Sequence, residues 1–236
     1  KNKFNFKLVN DNCHAVGASI NKNRGYAVKF ADLVSLSFHP VKHITTAEGG
    51  AILTNNKFYA DKISLLRSHG VKREKKKLDK IGLWYQEMVD LGYNYRLSDV
   101  QAALGLSQID RLEKFLKKRK LIANFYNKIF FNNNKFQIPK VKKNFSHSYH
   151  LYPLLVDFKK VGLSKKEVFR KFLEQNIKLQ VHYIPVNMQP YYKKKIGYIK
   201  KNFVNSIDFY KREISLPIYY DLSQNELEHI KKVCKK

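Results

Sequence analysis

The sequence of 236 residues has few cysteines and few acidic residues, and each shortage narrows what the protein can be. The two cysteines, Cys13 and Cys234, lack the spacing of a metal site and are too few for a disulfide framework. They favour a reducing compartment, so we expect a cytoplasmic protein. No apolar run approaches the ~20 residues of a membrane-spanning helix, and no segment has the pattern of a signal peptide. We therefore expect no membrane partner.

The shortage of acidic residues gives the chain a strong positive charge. Only 19 Asp and Glu residues accompany 46 Lys and Arg, for a formal charge of +27. A charge of this size raises the hypothesis of nucleic-acid binding. The lysines are spread along the whole chain, however, beside many Asn, Ile, Phe and Tyr residues, as is typical of an AT-rich genome. We interpret a run such as Lys193–Lys195 as a solvated surface and expect no nucleic-acid partner.

Apolar residues are plentiful enough to build a core. They make up 44% of the chain, with 16 Phe and 15 Tyr, which suits one large domain or two small ones. In the first part of the chain, strands alternate with helical spacing, and this order predicts an α/β fold. Gly70 is a plausible helix stop, and residues 71–97 show no regular pattern. The predicted strands and helix are 7–10, 31–38, 51–54 and 56–68.

From Ser98 onward the apolar residues keep helical spacing for a long way. Ser98 is a candidate N-cap, and the predicted helix, straight or kinked, runs to about Phe130. A linker at 132–139 leads into a second group of elements, in which Ser164 and Ser223 each open a capping box. The predicted elements of this group are strands at 149–156 and 179–183 and helices at 164–176, 202–212 and 223–234.

Asp11, Ser37 and Lys42 each lie at or just after the end of a predicted strand. In open α/β sheets, loops at the carboxyl ends of strands converge on the ligand crevice. An amine, a carboxylate and a hydroxyl there would suit pyridoxal phosphate, which needs an amine for its aldehyde, an acid for its ring nitrogen and donors for its phosphate. Spacing alone carries little weight, because such residue pairs are common by chance in a lysine-rich chain.

Four stretches of the chain carry distinctive wording: VNDNCHAVGA (9–18), SFHPVKHITTAEGGAILTN (37–55), LGYNYRLSDVQAALGLSQID (91–110) and QVHYIPVNMQPYY (180–192). In this order they resemble motifs of the DegT/DnrJ/EryC1/StrS family of sugar aminotransferases, and the resemblance covers essentially the whole chain. It implies the C-terminal part of a fold-type I transferase that depends on pyridoxal 5'-phosphate: an incomplete large-domain sheet at 1–97, an interdomain helix at 98–131 and a small α/β domain at 132–236.

The resemblance implies a role for each residue that matches a family motif. Lys42 would bind the cofactor covalently and shuttle protons, and Asp11 would pair with the pyridinium nitrogen. His14 would lie near the ring, and Ser37 would hold the phosphate. Asn94 would reach the phosphate site of a neighbouring subunit.

In the small domain, His182 and Tyr183 resemble a segment that faces the substrate. Plainer interpretations stay open: a surface lysine, a loop-capping acid, a strand-end hydroxyl, a core histidine, a turn asparagine and two packing residues. No role is assigned to His39, His43 or Arg96. Because the lysine is present, the sequence disfavours the dehydratase branch of the family, in which a histidine replaces it.

The activity that the resemblance implies is amino transfer from glutamate to a keto-sugar nucleotide, in the biosynthesis of sugars for surface glycans. We expect a UDP-linked 4-keto-6-deoxyhexosamine as acceptor and a homodimer with its active site at the subunit interface. Two alternatives stay open: another nucleotide-sugar 3- or 4-aminotransferase of the family, or a non-catalytic remnant. The chain starts without Met and lacks the family's phosphate-binding turn, so we expect a fragment that binds cofactor poorly and is inactive alone.

Overall fold

The structure, a computed structural model, describes residues 2–197 and 203–235, and the chain folds as two compact units. The first unit comprises Lys1–Glu113 and Asn144–Ser146, and the second comprises Lys114–Lys143 and His147–Lys236. The domain bounds expected from the sequence stay a prediction.

Helices and strands make up both units, and two 3-10 turns accompany them at Asn2–Phe4 and Val186–Met188. In chain order the described elements are β1 (Val9–Asp11), β2 (Ser19–Ile20), α1 (Tyr26–Phe30), β3 (Leu33–Ser37), β4 (Gly50–Leu53), α2 (Lys57–Leu66), β5 (Val71–Lys72), α3 (Lys75–Ile81), β6 (Glu87–Met88), α4 (Asp99–Asp110), α5 (Leu112–Phe130), β7 (Phe136–Gln137), β8 (Phe145–Ser146), β9 (Tyr152–Val156), α6 (Phe158–Val161), α7 (Lys165–Glu174), α8 (Pro190–Ile196), α9 (Val204–Arg212), β10 (Glu213–Leu216) and α10 (Gln224–Lys235).

A three-stranded sheet in the order β1-β3-β4 forms the centre of the first unit. β1 and β3 are parallel, and β4 runs antiparallel to β3, so the three strands predicted for this region are confirmed with slightly different bounds. Val34 is fully buried in a small cluster with Ala27 and Ala31 next to α1. Because side chains alternate along a strand, Ser35 and Ser37 lie on the opposite face of β3.

The helix predicted over 56–68 is confirmed as α2, which begins after the N-cap Asn56. Gly70 has a positive φ of 67° and its N–H donates to the carbonyl of Leu65, so it helps to end the helix as expected. The prediction that 71–97 is irregular was wrong, because α3 and the β5–β6 pair lie there. Helix α3 was not predicted because its sequence KKKLDKI has only two apolar residues, which are too few to form an apolar stripe with helical spacing.

The long helix predicted from Ser98 is confirmed as two helices. Ser98 caps α4 in a full capping box with Gln101, as its sequence position indicated. α4 ends at the cap Arg111, and α5 then continues to Phe130. The break places α4 in the first unit, whereas nearly all of α5 belongs to the second.

The second unit is built on an antiparallel sheet in the order β10-β9-β7. Tyr152, Leu154 and Val156 of β9 alternate into a large core shared with α5, α7 and α10. Along β10, Ile214 and Leu216 join this core, so Glu213 and Ser215 lie on the other face of the sheet. The strand predicted at 149–156 is thus confirmed in its second half, whereas β7 within the expected linker and β10 were not predicted.

The helix predictions for this unit are confirmed as α7, α9 and α10, although residue 202 lies outside the described residues. Ser164 with Glu167 and Ser223 with Glu226 form the two expected capping boxes. The strand predicted at 179–183 was wrong, since only Gln180 makes a backbone bridge, to Ser215. The lysine run 193–195 is exposed on α8, as expected. Among the described helices, none is long and apolar enough to cross a membrane.

Candidate active site

The parallel pairing of β1 with β3 brings Asp11 and Ser37 to the same edge of the sheet. The register pairs Asp11 with Ser35, and β3 continues for two more residues to Ser37. Both strands therefore end at this edge, with Ser35 and Ser37 on the face opposite the α1 cluster. The carboxyl edge of a parallel pair is the usual place for a ligand in an open α/β sheet.

Lys42 follows β3 in a tight turn made by the sequence His39-Pro40-Val41-Lys42. The Lys42 N–H donates to the carbonyl of His39 at 2.9 Å, and Pro40 occupies the position of a β-turn that proline favours. The Val41 N–H donates to Nδ1 of His39 at 3.3 Å, so His39 supports the same turn. Lys42 is half-buried, in a loop that starts beside Ser37.

The rest of this loop, residues 43–49, is packed rather than loose. His43, Ile44 and Thr46 are buried, with exposed fractions of 2–3%. The Phe38 N–H donates to the carbonyl of Gly49 at 2.8 Å and closes the loop. A Cβ on Gly49 would lie 2.5 Å from Oγ1 of Thr46, so this position accepts only glycine without rearrangement. The anchored residues hold the backbone of Lys42 in place.

The surroundings of Asp11 favour its charged form. Hydrogen bonds from the side chain and backbone of Cys13, with the nearby charges of His14 and Lys42, hold the pKa of Asp11 below its ordinary value. The Cys13 N–H lies 3.0 Å from Oδ1 of Asp11, so this acid also caps its loop. An ionised carboxylate close to an amine is the pair that the motifs imply.

Cys13 is a neighbour of this pair that the sequence analysis did not assign to the site. Its Sγ lies 3.8 Å from Oγ of Ser35, and burial and the hydrogen bond with Asp11 raise its pKa. The charge of Lys42 acts in the opposite direction and lowers the pKa of this thiol. The signal that could have found Cys13 and Ser35 is strand register, which places both beside Asp11.

The other predicted residues of the first unit occupy different environments. His14 is exposed, so the plainer interpretation of a core histidine was wrong. The Ser37 hydroxyl accepts a bond from the His39 N–H at 3.4 Å, so it is a strand-end hydroxyl whatever else it binds. Asn94 is exposed and forms a backbone bridge with Ser68, so it is extended rather than a turn residue.

The short segment around Asn94 is held tightly against the end of α2. The backbone N–H of Tyr93 donates to the carbonyl of Leu66, and the backbone N–H of Tyr95 donates to the carbonyl of Arg67. A Cβ on Gly92 would come within 2.1 Å of the backbone nitrogen of Gly70, so the backbone segments around these two glycines are in contact. The GYNYR motif thus fixes an exposed asparagine on a rigid backbone.

His182 and Tyr183 lie in the second unit. Tyr183 is 69% exposed, whereas His182 is half-buried and bonds to Ser215 through Nδ1 at 2.8 Å. The two rings meet edge to face with centroids 4.7 Å apart. Sequence reasoning identified these two residues but not Glu213 and Ser215, which hold the histidine from β10.

Solved structures share this fold. The Helicobacter pylori PseC, an aminotransferase involved in the biosynthesis of pseudaminic acid, matches 99% of this chain and 60% of its own at a TM-score of 0.87 and 32% identity. The PLP form of Spr1654 from Streptococcus pneumoniae, a protein assigned as a sugar aminotransferase, matches 95% of this chain and 55% of its own, with a TM-score of 0.81 and 28% identity. The fold is the mixed α/β fold of the fold-type I sugar aminotransferases.

The sequence comparisons agree with the fold. The model of the DegT/DnrJ/EryC1/StrS aminotransferase family matches residues 1–235, and the chain belongs to this family. It is 43% identical over 229 residues to a UDP-4-amino-4,6-dideoxy-N-acetyl-beta-L-altrosamine transaminase of Campylobacter jejuni, covering 97% of this chain and 58% of the relative. It is 35% identical to the spore coat polysaccharide biosynthesis protein SpsC of Bacillus subtilis, over 94% of this chain and 57% of the relative. The chain thus spans less than two thirds of these relatives.

The residues present fit the cofactor that the family implies. A half-buried amine, an ionised carboxylate and a strand-end hydroxyl lie in one unit, at the carboxyl edge of two parallel strands. These are the three kinds of group that pyridoxal phosphate needs for its aldehyde, its ring nitrogen and its phosphate.

Proposed function

We propose that the whole protein transfers an amino group from glutamate to the keto group of a nucleotide-linked sugar, with pyridoxal 5'-phosphate as cofactor. The observation that carries this proposal is the placement of Asp11 and Lys42 at one sheet edge, where the lysine charge helps to keep the carboxylate ionised. When bound, the cofactor supplies an electron sink that stabilises negative charge at the carbon losing a proton.

The residues of this chain would hold that cofactor and move protons. Asp11 would keep the ring nitrogen protonated, because an ionised carboxylate close to it raises the pKa of the nitrogen. Ser37 would donate its hydroxyl to the phosphate. Nζ of Lys42 would anchor the cofactor and, once released, carry a proton at the reacting carbon, as a general acid and base. The packed loop of residues 43–49 would keep that nitrogen within reach.

For the acceptor we propose a UDP-linked 4-keto-6-deoxyhexosamine. The support is the identity to the Campylobacter relative, whose name specifies a UDP-linked 4-amino-4,6-dideoxy sugar. His182 and Tyr183 would face this substrate from the small domain. The weak cofactor binding and inactivity expected of this chain alone, and its cytoplasmic location, stay predictions.

We also propose that the active enzyme is a homodimer in which Asn94 serves the neighbouring subunit. Asn94 is exposed on a rigid segment, and the tyrosines on either side of it are 54% and 72% exposed. Their rings stack with centroids 4.9 Å apart. Clustered exposed aromatic side chains are typical of protein interfaces.

The test is a covalent trap in the full-length protein. Borohydride reduction in the presence of pyridoxal phosphate, followed by peptide mass spectrometry, should place the cofactor on Lys42. The variant Lys42→Ala should lose the label and at least about 10²-fold in transamination rate, because it removes both the anchor and the proton carrier. A panel of keto-sugar nucleotides then identifies the acceptor.

The matched control is Lys57→Ala, which removes an exposed lysine of α2 that pairs with Asp61 on the same helix. It should keep the label and the rate. The proposal is wrong if the label is found on another lysine, or if a folded Lys42→Ala variant retains its transamination rate.

A further inference from the structure

Helix α4 lies against the loop that carries Lys42, and it does so through one face. Gln101 is half-buried and Gly105 is buried, and these positions lie four residues apart, on the same side of the helix. Nε2 of Gln101 donates to the carbonyl of Glu48 at 2.9 Å. A Cβ on Gly105 would lie 2.8 Å from Cγ2 of Thr46, so the helix and the loop are in close contact there. All of these residues belong to the first unit.

The two contacted residues, Thr46 and Glu48, hold the start of the Lys42 turn. Oγ1 of Thr46 also donates to the carbonyl of Glu48, at 2.8 Å, so this carbonyl accepts two hydrogen bonds. The N–H of Thr46 donates to the carbonyl of Phe38 at 3.0 Å, and Phe38 directly precedes the turn that ends at Lys42. Ala47, between Thr46 and Glu48, has a positive φ of 65°. This backbone conformation is strained for a residue with a Cβ, so the loop needs outside contacts to keep its shape.

The side-chain amide of Gln101 serves two kinds of partner at once. Its Oε1 accepts from the N–H and from the hydroxyl of Ser98, at 3.1 and 3.0 Å, while its Nε2 donates to the carbonyl of Glu48. An amide supplies both an acceptor and a donor, whereas an ionised carboxylate supplies acceptors alone. A glutamate serves a capping box equally well. The bond to the loop is therefore the contact that requires an amide at this position.

We propose that Gln101 and Gly105 are positioning residues for Lys42. Through them α4 holds the carbonyl of Glu48 and the side chain of Thr46. The hydrogen bonds of these two loop residues then keep the turn at Lys42 in place, and with it the backbone from which the amine extends. The use of that amine in amino transfer rests on the proposed function, whereas the attachment of the loop to α4 does not.

The attachment of the loop is tested by Gln101→Glu in the full-length protein, which keeps the capping box and removes the donor to the loop. We expect hydrogen exchange at the amides of Lys42 and Thr46 to become about tenfold faster, because two acceptors then face each other where a hydrogen bond held the loop. The control is Gln224→Glu, since that amide donates to Glu228 within its own helix, α10. It should leave both exchange rates unchanged. Unchanged exchange at both amides in folded Gln101→Glu would overturn the proposal.

A second pair of variants tests the close contact at Gly105. Gly105→Ala places a Cβ against Cγ2 of Thr46, while alanine in place of glycine favours the helix itself. We therefore expect faster exchange at the amide of residue 46 without any weakening of α4. Adding Thr46→Ser removes the methyl group but keeps the hydroxyl that donates to Glu48, so the double variant should restore slow exchange. Exchange that does not respond to Gly105→Ala would contradict the role of this glycine.

The effect on Lys42 is measured as transamination by the full-length enzyme with its cofactor. In Gln101→Glu we expect kcat to fall about tenfold with KM for the keto-sugar nucleotide nearly unchanged, because the variant displaces the proton carrier and leaves the substrate-facing residues of the second unit alone. An unchanged kcat beside faster loop exchange would overturn the positioning role. If borohydride places no label on Lys42 of the unchanged enzyme, the proposed function fails instead, and the exchange rates still decide whether α4 holds the loop.

Discussion

The two units of the molecule bury their apolar residues very differently. The second unit encloses a large cluster contributed by α5, α7, α10 and its sheet. In the first unit the only hydrophobic cluster found among the described residues consists of Ala27, Ala31 and Val34. On α4, meanwhile, Val100 is 82% exposed and Leu106 is 67% exposed.

The large hydrophobic core and the candidate active site thus lie in different units. The second unit has its own core, whereas the first holds Asp11 and Lys42 at the edge of a three-stranded sheet. Helix α4 is apolar on several sides but buries only Gly105, which is the composition of an interface rather than of a solvated helix. We therefore expect the stability of the chain to come from the second unit, and the site of the first to depend on what covers it.

The largest expected effect compares two leucines, one in each unit. Leu154→Ala removes a side chain that is 1% exposed and should lower the free energy of unfolding by about 2–5 kcal/mol. Leu106→Ala removes one that is 67% exposed and should change it by no more than about 0.5 kcal/mol. Urea unfolding followed by circular dichroism measures both. Similar losses would mean that α4 is covered in solution, as in a dimer.

An intermediate effect concerns the two cysteines and alkaline pH. Burial raises the pKa of Cys234 from 9.0 to about 12. The thiol thus contributes no pH dependence below about pH 9, and stability falls from there to about pH 12, because only the unfolded chain loses the proton. At pH 10 the loss is about 1.4 kcal/mol.

The measurement is the free energy of unfolding at pH 8 and at pH 10, for the chain and for Cys234→Ala. The variant should lose about 1.4 kcal/mol less between the two values. The control Cys13→Ala, in the first unit, should keep the full pH dependence of Cys234. If Cys234→Ala loses as much stability between pH 8 and pH 10 as the unchanged chain, the pH dependence does not come from Cys234.

The smallest effect compares two helix caps of the same chemistry. Ser98 caps α4 and Ser164 caps α7, each in a full capping box. Ser164→Ala should cost about 1 kcal/mol in global unfolding, because α7 packs on the main core. Ser98→Ala should mainly increase hydrogen exchange at the Gln101 amide without moving the global midpoint. Equal shifts in the midpoint would show that the two units unfold together.

The parts of the fold that the sequence predicted are those with local signals. The capping residues Ser98, Ser164 and Ser223 marked helix starts that the structure has, because a cap depends on residues three apart. The strands β3 and β4 were equally clear from short apolar runs. Residues 179–183 alternate like a strand, but apolar alternation cannot report that only one backbone bridge forms there.

The candidate site was predictable only as far as motifs reach. Asp11 and Lys42 were identified by resemblance, and their closeness follows from a parallel register that no local pattern encodes. Cys13 and Ser35 were missed because they matter through that register. Glu213 was missed since a charged residue directly after α9 is read as a helix end, whereas tertiary pairing turns it into the start of β10.

The strand β8 makes the first unit discontinuous along the chain. Asn144–Ser146 belong to this unit and pair with β2, although the residues on either side belong to the other unit. The polypeptide therefore crosses the boundary between the units three times. No single proteolytic cut or gene truncation can isolate either unit intact: a product ending at Glu113 would leave Ser19 and Ile20 as an open edge, and a product starting at Lys114 would carry an orphan strand.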